Sequence, residues 1–282
     1  MRKTLALIVA LMPIILPASL LAAGANYGTK MTSKVSTTHY SMITNIGDAR
    51  TRDAGRKLEL LRMNLIKTFG AGKSPASVKL LARKVDVVIF QHKAQFVKYS
   101  AITGVKVPRN ACGYFRVLPR DKRRYEIVTY ANKQMTSTLL HEGTHQLLQV
   151  TLAPGTPPQW LTEGMAVYFE QSSFVGRKMK AGGIHKHYRA VLRKALNNGT
   201  NIPISNLIRR DKSRMLSATG YAQSWSLVYY LVHYRKGAYH KKFRNYIKAL
   251  RAKKDPVKAF EKHFTKNVDK LERSWKKYVL KM

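Results

Sequence analysis

The feature that most constrains this chain is a stretch of 43 residues, 134–176, that contains neither Lys nor Arg. The rest of the chain holds all 52 Lys and Arg residues, and the formal net charge is +38. The stretch does contain three acids, Glu142, Glu163 and Glu170. Exclusion of cations from one segment of so basic a protein indicates a local chemistry that positive side chains would disturb.

Composition narrows the class of protein. A length of 282 residues with 45% hydrophobic and 10% aromatic residues predicts a folded chain with a substantial core, and excludes overall disorder. The basic excess excludes a mimic of acidic substrates and permits polyanion binding. Cys112 is the single cysteine, so no intrachain disulfide can form, and we interpret it as a small buried hydrophobe.

The N-terminus has the pattern of a signal peptide. Two cations precede an apolar stretch of 17 residues, 5–21, and small residues follow it. We predict a signal peptide over residues 1–23, with cleavage after Ala23 or Ala25. A transmembrane anchor is the alternative, but the stretch is short and two prolines interrupt it. The chain is therefore expected to be exported, periplasmic or secreted, without a transmembrane anchor.

Hydrophobic periodicity predicts an α+β fold with a small N-terminal mixed sheet, two central helices and a basic helical C-terminal region. The corresponding divisions are residues 24–135, 136–176 and 177–282. The predicted strands are 36–44, 84–90, 113–117 and 125–130, with a turn at 119–122. The predicted helices are 48–69, 91–100, 137–150, 157–171, 184–196, 224–234, 239–253, 256–264 and 268–280. The strand 113–117 is equally compatible with an internal position and with an edge that pairs with an extended peptide.

Residues 141–145 read H-E-G-T-H, an H-E-x-x-H motif on a predicted helix. Positions i and i+4 lie on one face, so His141 and His145 can both reach one zinc ion. Glu142 falls beside that ion, where it can accept a proton from water. The alternatives are an ordinary helix with this spacing by coincidence, and a pair of core histidines.

A catalytic zinc needs a third protein ligand, and the next predicted helix offers Glu163. Glu163 is the only acid between Glu142 and Glu170, and a turn between the two helices would bring it back over the histidines. Its carboxylate also lowers the net charge of the centre. A surface helix position is the alternative. The sequence thus predicts one Zn²⁺ per chain, bound by His141, His145 and Glu163.

The pair H-E-G-T-H and W-L-T-E-G-M-A resembles the gluzincin metallopeptidases, more closely the peptidase MA-like group and more distantly the aminopeptidase-N-type enzymes. Those aminopeptidases carry W-L-x-E-G-x-A after H-E-x-x-H with a gap one residue longer. The resemblance implies a zincin-like fold and a zinc-dependent peptidase, and the missing G-A-M-E-N-type strand favours an endopeptidase. It also implies that Tyr221, in Y-A-Q-S-W, steadies the oxyanion, the alternative being a packed tyrosine.

Two further predictions concern the surroundings of the motif. Glu170 lies seven residues after Glu163, on the same helix face, and we expect it to orient a ligand histidine or else to be a solvated helix-end carboxylate. His185 and His187 form H-x-H among basic neighbours, and we interpret them as part of a solvated basic helix.

The implied reaction is hydrolysis of peptide bonds by zinc-activated water with Glu142 as general base, on a peptide or protein substrate. The alternative is an exported protein that binds an anionic cell-envelope polymer or lipid surface and has a structural or vestigial metal. Residues 177–282 hold 28 Lys and Arg against 5 acids, and basic runs there suit such a surface. No specific nucleic-acid partner is predicted.

Overall fold

The computed structural model describes residues 26–70, 81–118, 124–209 and 216–282. The predicted signal peptide and the predicted turn at 119–122 lie outside these residues. Within the described residues, no helix has both the length and the apolar character needed to cross a membrane. They form two compact units, one of residues 26–62, 81–118 and 124–146, the other of residues 63–70, 147–209 and 216–282.

The predicted α+β class is confirmed, with a five-stranded mixed sheet in the first unit and mostly helices in the second. The strands are β1 (Ser33–Ser36), β2 (Tyr40–Thr44), β3 (Val85–Phe90), β4 (Gly113–Val117), β5 (Tyr125–Tyr130), β6 (Ser173–Val175) and β7 (Lys178–Lys180). The helices are α1 (Asp48–Phe69), α2 (Lys93–Ile102), α3 (Met135–Thr151), α4 (Gln159–Glu170), α5 (Lys186–Asn197), α6 (Ile204–Arg209), α7 (Ala218–His233), α8 (His240–Arg251), α9 (Pro256–His263) and α10 (Val268–Lys281), with a 3-10 turn at Tyr234–Lys236.

The five-stranded sheet has the order β1-β2-β3-β5-β4. The inner strands β2, β3 and β5 are parallel, whereas the edge strands β1 and β4 are antiparallel to their neighbours. In register, Val87 of β3 faces Ile127 of β5, and Tyr114 of β4 faces Val128. Parallel inner strands are covered on both faces, which explains the nearly continuous apolar sequence of β3. The sequence left open whether residues 113–117 form an internal strand or an edge strand, and in the structure they form an edge strand.

Helices cover the sheet on both sides. On one side, Phe96 of α2 belongs to a buried cluster that includes Val128. On the other, Ile127 approaches α3 at Gly143, where an added Cβ would lie 2.9 Å from Leu61 of α1. The lack of a side chain at Gly143 therefore allows α3 to pack closely against α1 and against the sheet.

In the second unit, α4 and α7 are in close contact. A Cβ at Gly164 would overlap the backbone carbonyl of Ser224, so glycine permits this approach. The later helices are amphipathic, and α8 is an example. Its buried face consists of Phe243, Tyr246, Ile247 and Leu250, and its exposed face includes Lys241, Lys242, Arg244 and Lys248.

Several predicted elements differ from the structure. The predicted strand 36–44 is two strands, because the backbone N–H of Thr37 donates to the carbonyl of Tyr40 and closes a turn. The short hairpin β6–β7 and helix α6 are absent from the prediction. Helix α7 begins at Ala218 rather than 224, since the side chain of Ser217 caps it by accepting from the N–H of Gly220.

The prediction that Cys112 is a buried hydrophobe is wrong. The residue is only half-buried, and its Sγ lies 3.5 Å from Oε1 of Gln134 and 3.9 Å from the hydroxyl of Tyr130. Cys112 precedes the edge strand β4, where neighbouring elements cover it incompletely. It therefore contacts polar groups instead of filling the core.

Candidate metal centre

Helix α3 carries the H-E-x-x-H motif and is buried around almost its whole circumference. Every residue from Thr138 to Leu148 is buried. A helix in this position cannot keep Lys or Arg head groups in water, and burying an unpaired cation is costly. Burial thus accounts for part of the stretch without cations. The same burial imposes a desolvation cost on the polar side chains of His141, Glu142 and His145.

The two histidines of the motif face one another. The Nε2 atoms of His141 and His145 are 3.1 Å apart, and the ring centroids are 4.9 Å apart. Their side chains are 1% and 7% exposed. The spacing of one helical turn brings them together, as predicted from positions i and i+4. Two imidazole nitrogens in this arrangement can share one ring hydrogen or bind one ion.

Glu163 of α4 completes a group of three residues that could act as metal ligands. One donor atom from each of His141, His145 and Glu163 lies within 4.8 Å of the other two, and all three residues are buried. This group can hold a metal ion. The prediction that these three residues converge is therefore confirmed, and Glu163 is not a surface residue.

Glu142 follows His141 directly in sequence and is 2% exposed. Neither α3 nor α4 contains Lys or Arg, so the buried carboxylates of Glu142 and Glu163 lie on helices that supply no cation of their own. A bound divalent ion would provide positive charge at this position. A buried carboxylate next to such an ion is suited to accept a proton from water.

Glu170, at the C-terminal end of α4, is also buried, with 7% exposure. Its Oε1 lies 3.2 Å from Nε2 of His185. The interpretation of His185 as part of a solvated basic helix is wrong for this residue, whose side chain is 18% exposed and paired with a carboxylate. The predicted role of Glu170 toward a ligand histidine stays a prediction.

Tyr221 lies in the first turn of α7 and is 7% exposed. Its ring is parallel to that of Tyr188 on α5, with centroids 6.4 Å apart and an interplanar angle of 9°. Tyr188 is 4% exposed. Burial, together with the negative charges of Glu170 and Glu163, raises the pKa of the Tyr188 phenol above its ordinary value. The structure therefore places a second phenol beside Tyr221.

The sequence analysis assigned His185 to a solvated surface and did not single out Tyr188. A signal existed, because a histidine directly before an apolar-periodic helix can act as its N-cap, and Tyr188 follows three residues later. The pairing of His185 with Glu170 joins residues from different elements, and local spacing does not reveal it.

Residues 135–258 match a family described as a protein of unknown function (DUF1570). The match begins at the first residue of α3. It includes the two motif helices, α3 and α4, and it also includes α5 and α7. The chain is thus similar to that family over the region that carries the three ligands, Glu142 and Tyr221. No curated protein matches the chain.

Proposed function

We propose that this protein is an exported zinc metallopeptidase of the gluzincin type that hydrolyses peptide bonds. The observation that carries the proposal is the buried group of His141, His145 and Glu163, whose ligand atoms lie within 4.8 Å of one another. Glu142 is buried on the same helix as the two histidines. The proposed ligands and the proposed general base therefore have the residue types that the resemblance to gluzincins implies, and they occur in the same order along the sequence.

The ligand atoms suit zinc. Two nitrogen atoms, each about 2.0–2.1 Å from one tetrahedral zinc, lie about 3.3 Å apart. The observed separation of the histidine Nε2 atoms is 3.1 Å. Two imidazoles and one carboxylate form a ligand set of catalytic zinc, whereas calcium and magnesium prefer oxygen ligands. Zinc bound there would act as a Lewis acid that lowers the pKa of water toward ~7 and polarises the scissile carbonyl.

The chain's own groups supply the proton transfers. Glu142 accepts a proton from the attacking water, whose oxygen forms a bond to the carbonyl carbon of the substrate. As the carbon–nitrogen bond breaks, Glu142 delivers this proton to the leaving amine. Tyr221 donates a hydrogen bond to the oxygen of the tetrahedral intermediate, where negative charge develops.

The edge strand β4 supports an extended peptide as the substrate. Its first residue, Gly113, lies against α3, since an added Cβ would be 2.6 Å from Cγ2 of Thr138. An extended peptide that pairs with the outer edge of β4 would therefore run next to the helix that carries Glu142 and the histidines. This position favours cleavage within a peptide over removal of single terminal residues.

The proposal is tested by substituting the general base. Glu142→Gln removes the proton acceptor and keeps the size of the side chain, so zinc content should stay near one per chain. Hydrolysis of a peptide library should fall about 10²- to 10⁴-fold. Glu261→Gln is the control, because Glu261 belongs to an exposed ion pair with Arg209. Wild-type activity in Glu142→Gln, or none in the wild-type protein, would refute the proposal.

Binding to an anionic cell-envelope surface is a second candidate function, favoured by the exposed cations of α8. It is compatible with the first, because a basic surface can hold an enzyme near its substrate. The same variants separate the two. Salt-sensitive binding to anionic vesicles that persists in Glu142→Gln, together with no hydrolysis by the wild-type protein, would favour binding as the function.

A further inference from the structure

A chain of side-chain contacts extends from Glu170 through His185 to helix α5. Nδ1 of His185 accepts a hydrogen bond from the backbone N–H of Tyr188 at 3.2 Å, which makes His185 the N-cap of α5. Because Nδ1 accepts, the ring hydrogen resides on Nε2. Nε2, which carries the hydrogen, lies 3.2 Å from Oε1 of Glu170. One imidazole thus connects the end of α4 with the start of α5 in a defined tautomer.

The same imidazole is stacked on a phenol. The rings of His185 and Tyr188 have centroids 4.1 Å apart and an interplanar angle of 28°. Tyr188 in turn is parallel to Tyr221. Trp225 contacts the edge of His185, with centroids 6.2 Å apart. His185 therefore contacts both Glu170 and Tyr188, and Tyr188 in turn is parallel to Tyr221.

We propose that Tyr188 donates a hydrogen bond to the substrate oxygen, and that His185 and Glu170 are positioning residues that hold Tyr188 in place. This inference rests on the proposed function. Its basis is the burial of Tyr188, its stacking between His185 and Tyr221, and the link from His185 to Glu170 on the helix that carries Glu163. Glu170 then acts through His185 and not through the metal ligands.

Two substitutions separate capping from positioning. His185→Asn keeps an acceptor for the N–H of Tyr188, because asparagine is a good N-cap, but its amide is too short for Glu170. His185→Gln presents a donor near the place of Nε2 and is a poor cap. We expect His185→Asn to unfold at the wild-type temperature and to lose about 10- to 100-fold in kcat, with KM changed less than about threefold. His185→Gln should unfold earlier and keep most of kcat.

Three further variants complete the experiment. Tyr188→Phe keeps the stacked ring and loses the hydroxyl, so kcat should fall about 10²-fold. Glu170→Ala should match His185→Asn in kcat and leave the affinity for zinc unchanged. Asn267 caps α10 by accepting from the N–H of Lys270, so Asn267→Ala controls for loss of a cap, with lower stability and normal kcat.

The results distinguish this inference from the proposed function. Wild-type kcat in His185→Asn or Tyr188→Phe, while Glu142→Gln is inactive, would overturn the inference alone. A zinc affinity lowered about 10- to 100-fold in Glu170→Ala would instead assign Glu170 to a ligand histidine. A wild-type protein without hydrolysis that depends on Glu142 would overturn both proposals.

Discussion

At the scale of single residues, the chemistry of this protein depends mostly on buried charged side chains. Glu142, Glu163 and Glu170 are the only acids of the stretch 134–176, and all three are buried. A carboxylate in the interior is destabilising unless a cation or hydrogen-bond donors compensate it. For Glu170 the structure provides the imidazole of His185. For Glu163, the group it forms with two histidines fits a metal ion.

A buried carboxylate away from the metal centre shows the other kind of compensation. Glu126 of β5 is 1% exposed, and its Oε2 lies 2.6 Å from Nη2 of Arg116 on β4. The hydroxyl of Tyr99 donates to Oε1 at 2.7 Å. Burial raises the pKa of Glu126 above its ordinary value, and the charge of Arg116 offsets only part of that effect. This pair is structural, since it lies on the side of the sheet covered by α2.

Arg116→Met should therefore destabilise the protein by about 3–5 kcal/mol at pH 8, because it leaves a buried charge without its guanidinium. Loss of Arg116 raises the pKa of Glu126 further. The folded state then gains stability as the pH falls through that pKa, so the difference from wild type should shrink at acid pH. Thermal unfolding at several pH values measures this.

The control for Arg116→Met is Arg209→Met. Arg209 is 58% exposed in its pair with Glu261, and such pairs contribute about 0–1 kcal/mol. Equal losses in the two variants, or a loss in Arg116→Met that does not change with pH, would contradict the assignment of Glu126 as a buried charge.

At the scale of elements, two glycines set how closely the motif helices pack. Gly164 of α4 adjoins Glu163 and faces the rigid backbone of Ser224, whereas Gly143 of α3 faces the flexible ends of Leu61 and Leu58 at 2.9 and 3.0 Å. Backbone cannot move aside cheaply, but leucine side chains can shift by a few tenths of an ångström. The two positions should thus differ in their tolerance of a methyl group.

We expect Gly164→Ala to destabilise by at least about 1–3 kcal/mol through overpacking, and to lower zinc affinity because it displaces Glu163. Gly143→Ala should stay within about 1 kcal/mol of wild type, since the higher helix propensity of alanine offsets the crowding. Chemical unfolding and zinc titration measure both effects. A larger loss in Gly143→Ala would show that the spacing of α4 and α7 is not the tighter constraint.

The sequence predicted those elements whose periodicity is complete within one segment. Helix α1 and strands β4 and β5 have the predicted bounds, and β3 differs by one residue. The start of α7 was misplaced, because Ala218, Thr219 and Gly220 lack an apolar pattern and the cap at Ser217 sets the boundary. The hairpin β6–β7 has strands of three residues, too short for an alternation to appear.

Part of the candidate site was likewise predictable from the sequence, and part of it was not. His141 and His145 occupy one helix at positions i and i+4, so spacing alone predicts that they converge. Glu163 follows after a single turn between helices. The contacts of His185 with Glu170 and of Tyr188 with Tyr221 were not predicted, because they depend on how α4, α5 and α7 pack. Local patterns do not determine such contacts between elements.

At the scale of the whole molecule, the net charge of +38 averages two environments. Residues 134–176 lack Lys and Arg, and the two helices within them, α3 and α4, are almost fully buried. Burial disfavours cations there, and a divalent ion at the proposed centre would disfavour them for a different physical reason. Among the described residues, the cations of α8 are an example of basic side chains on an exposed face. The match to the family of unknown function covers the motif helices and α5 to α8.

The most direct test of the central claim is the metal content of freshly purified protein, measured by mass spectrometry of the elements. We predict about one zinc per chain in the wild-type protein and in Glu142→Gln, which keeps all three ligands. His141→Ala, His145→Ala and Glu163→Ala should each lose most of it. A wild-type protein without metal, or full zinc content in all three ligand variants, would contradict a zinc centre at His141, His145 and Glu163.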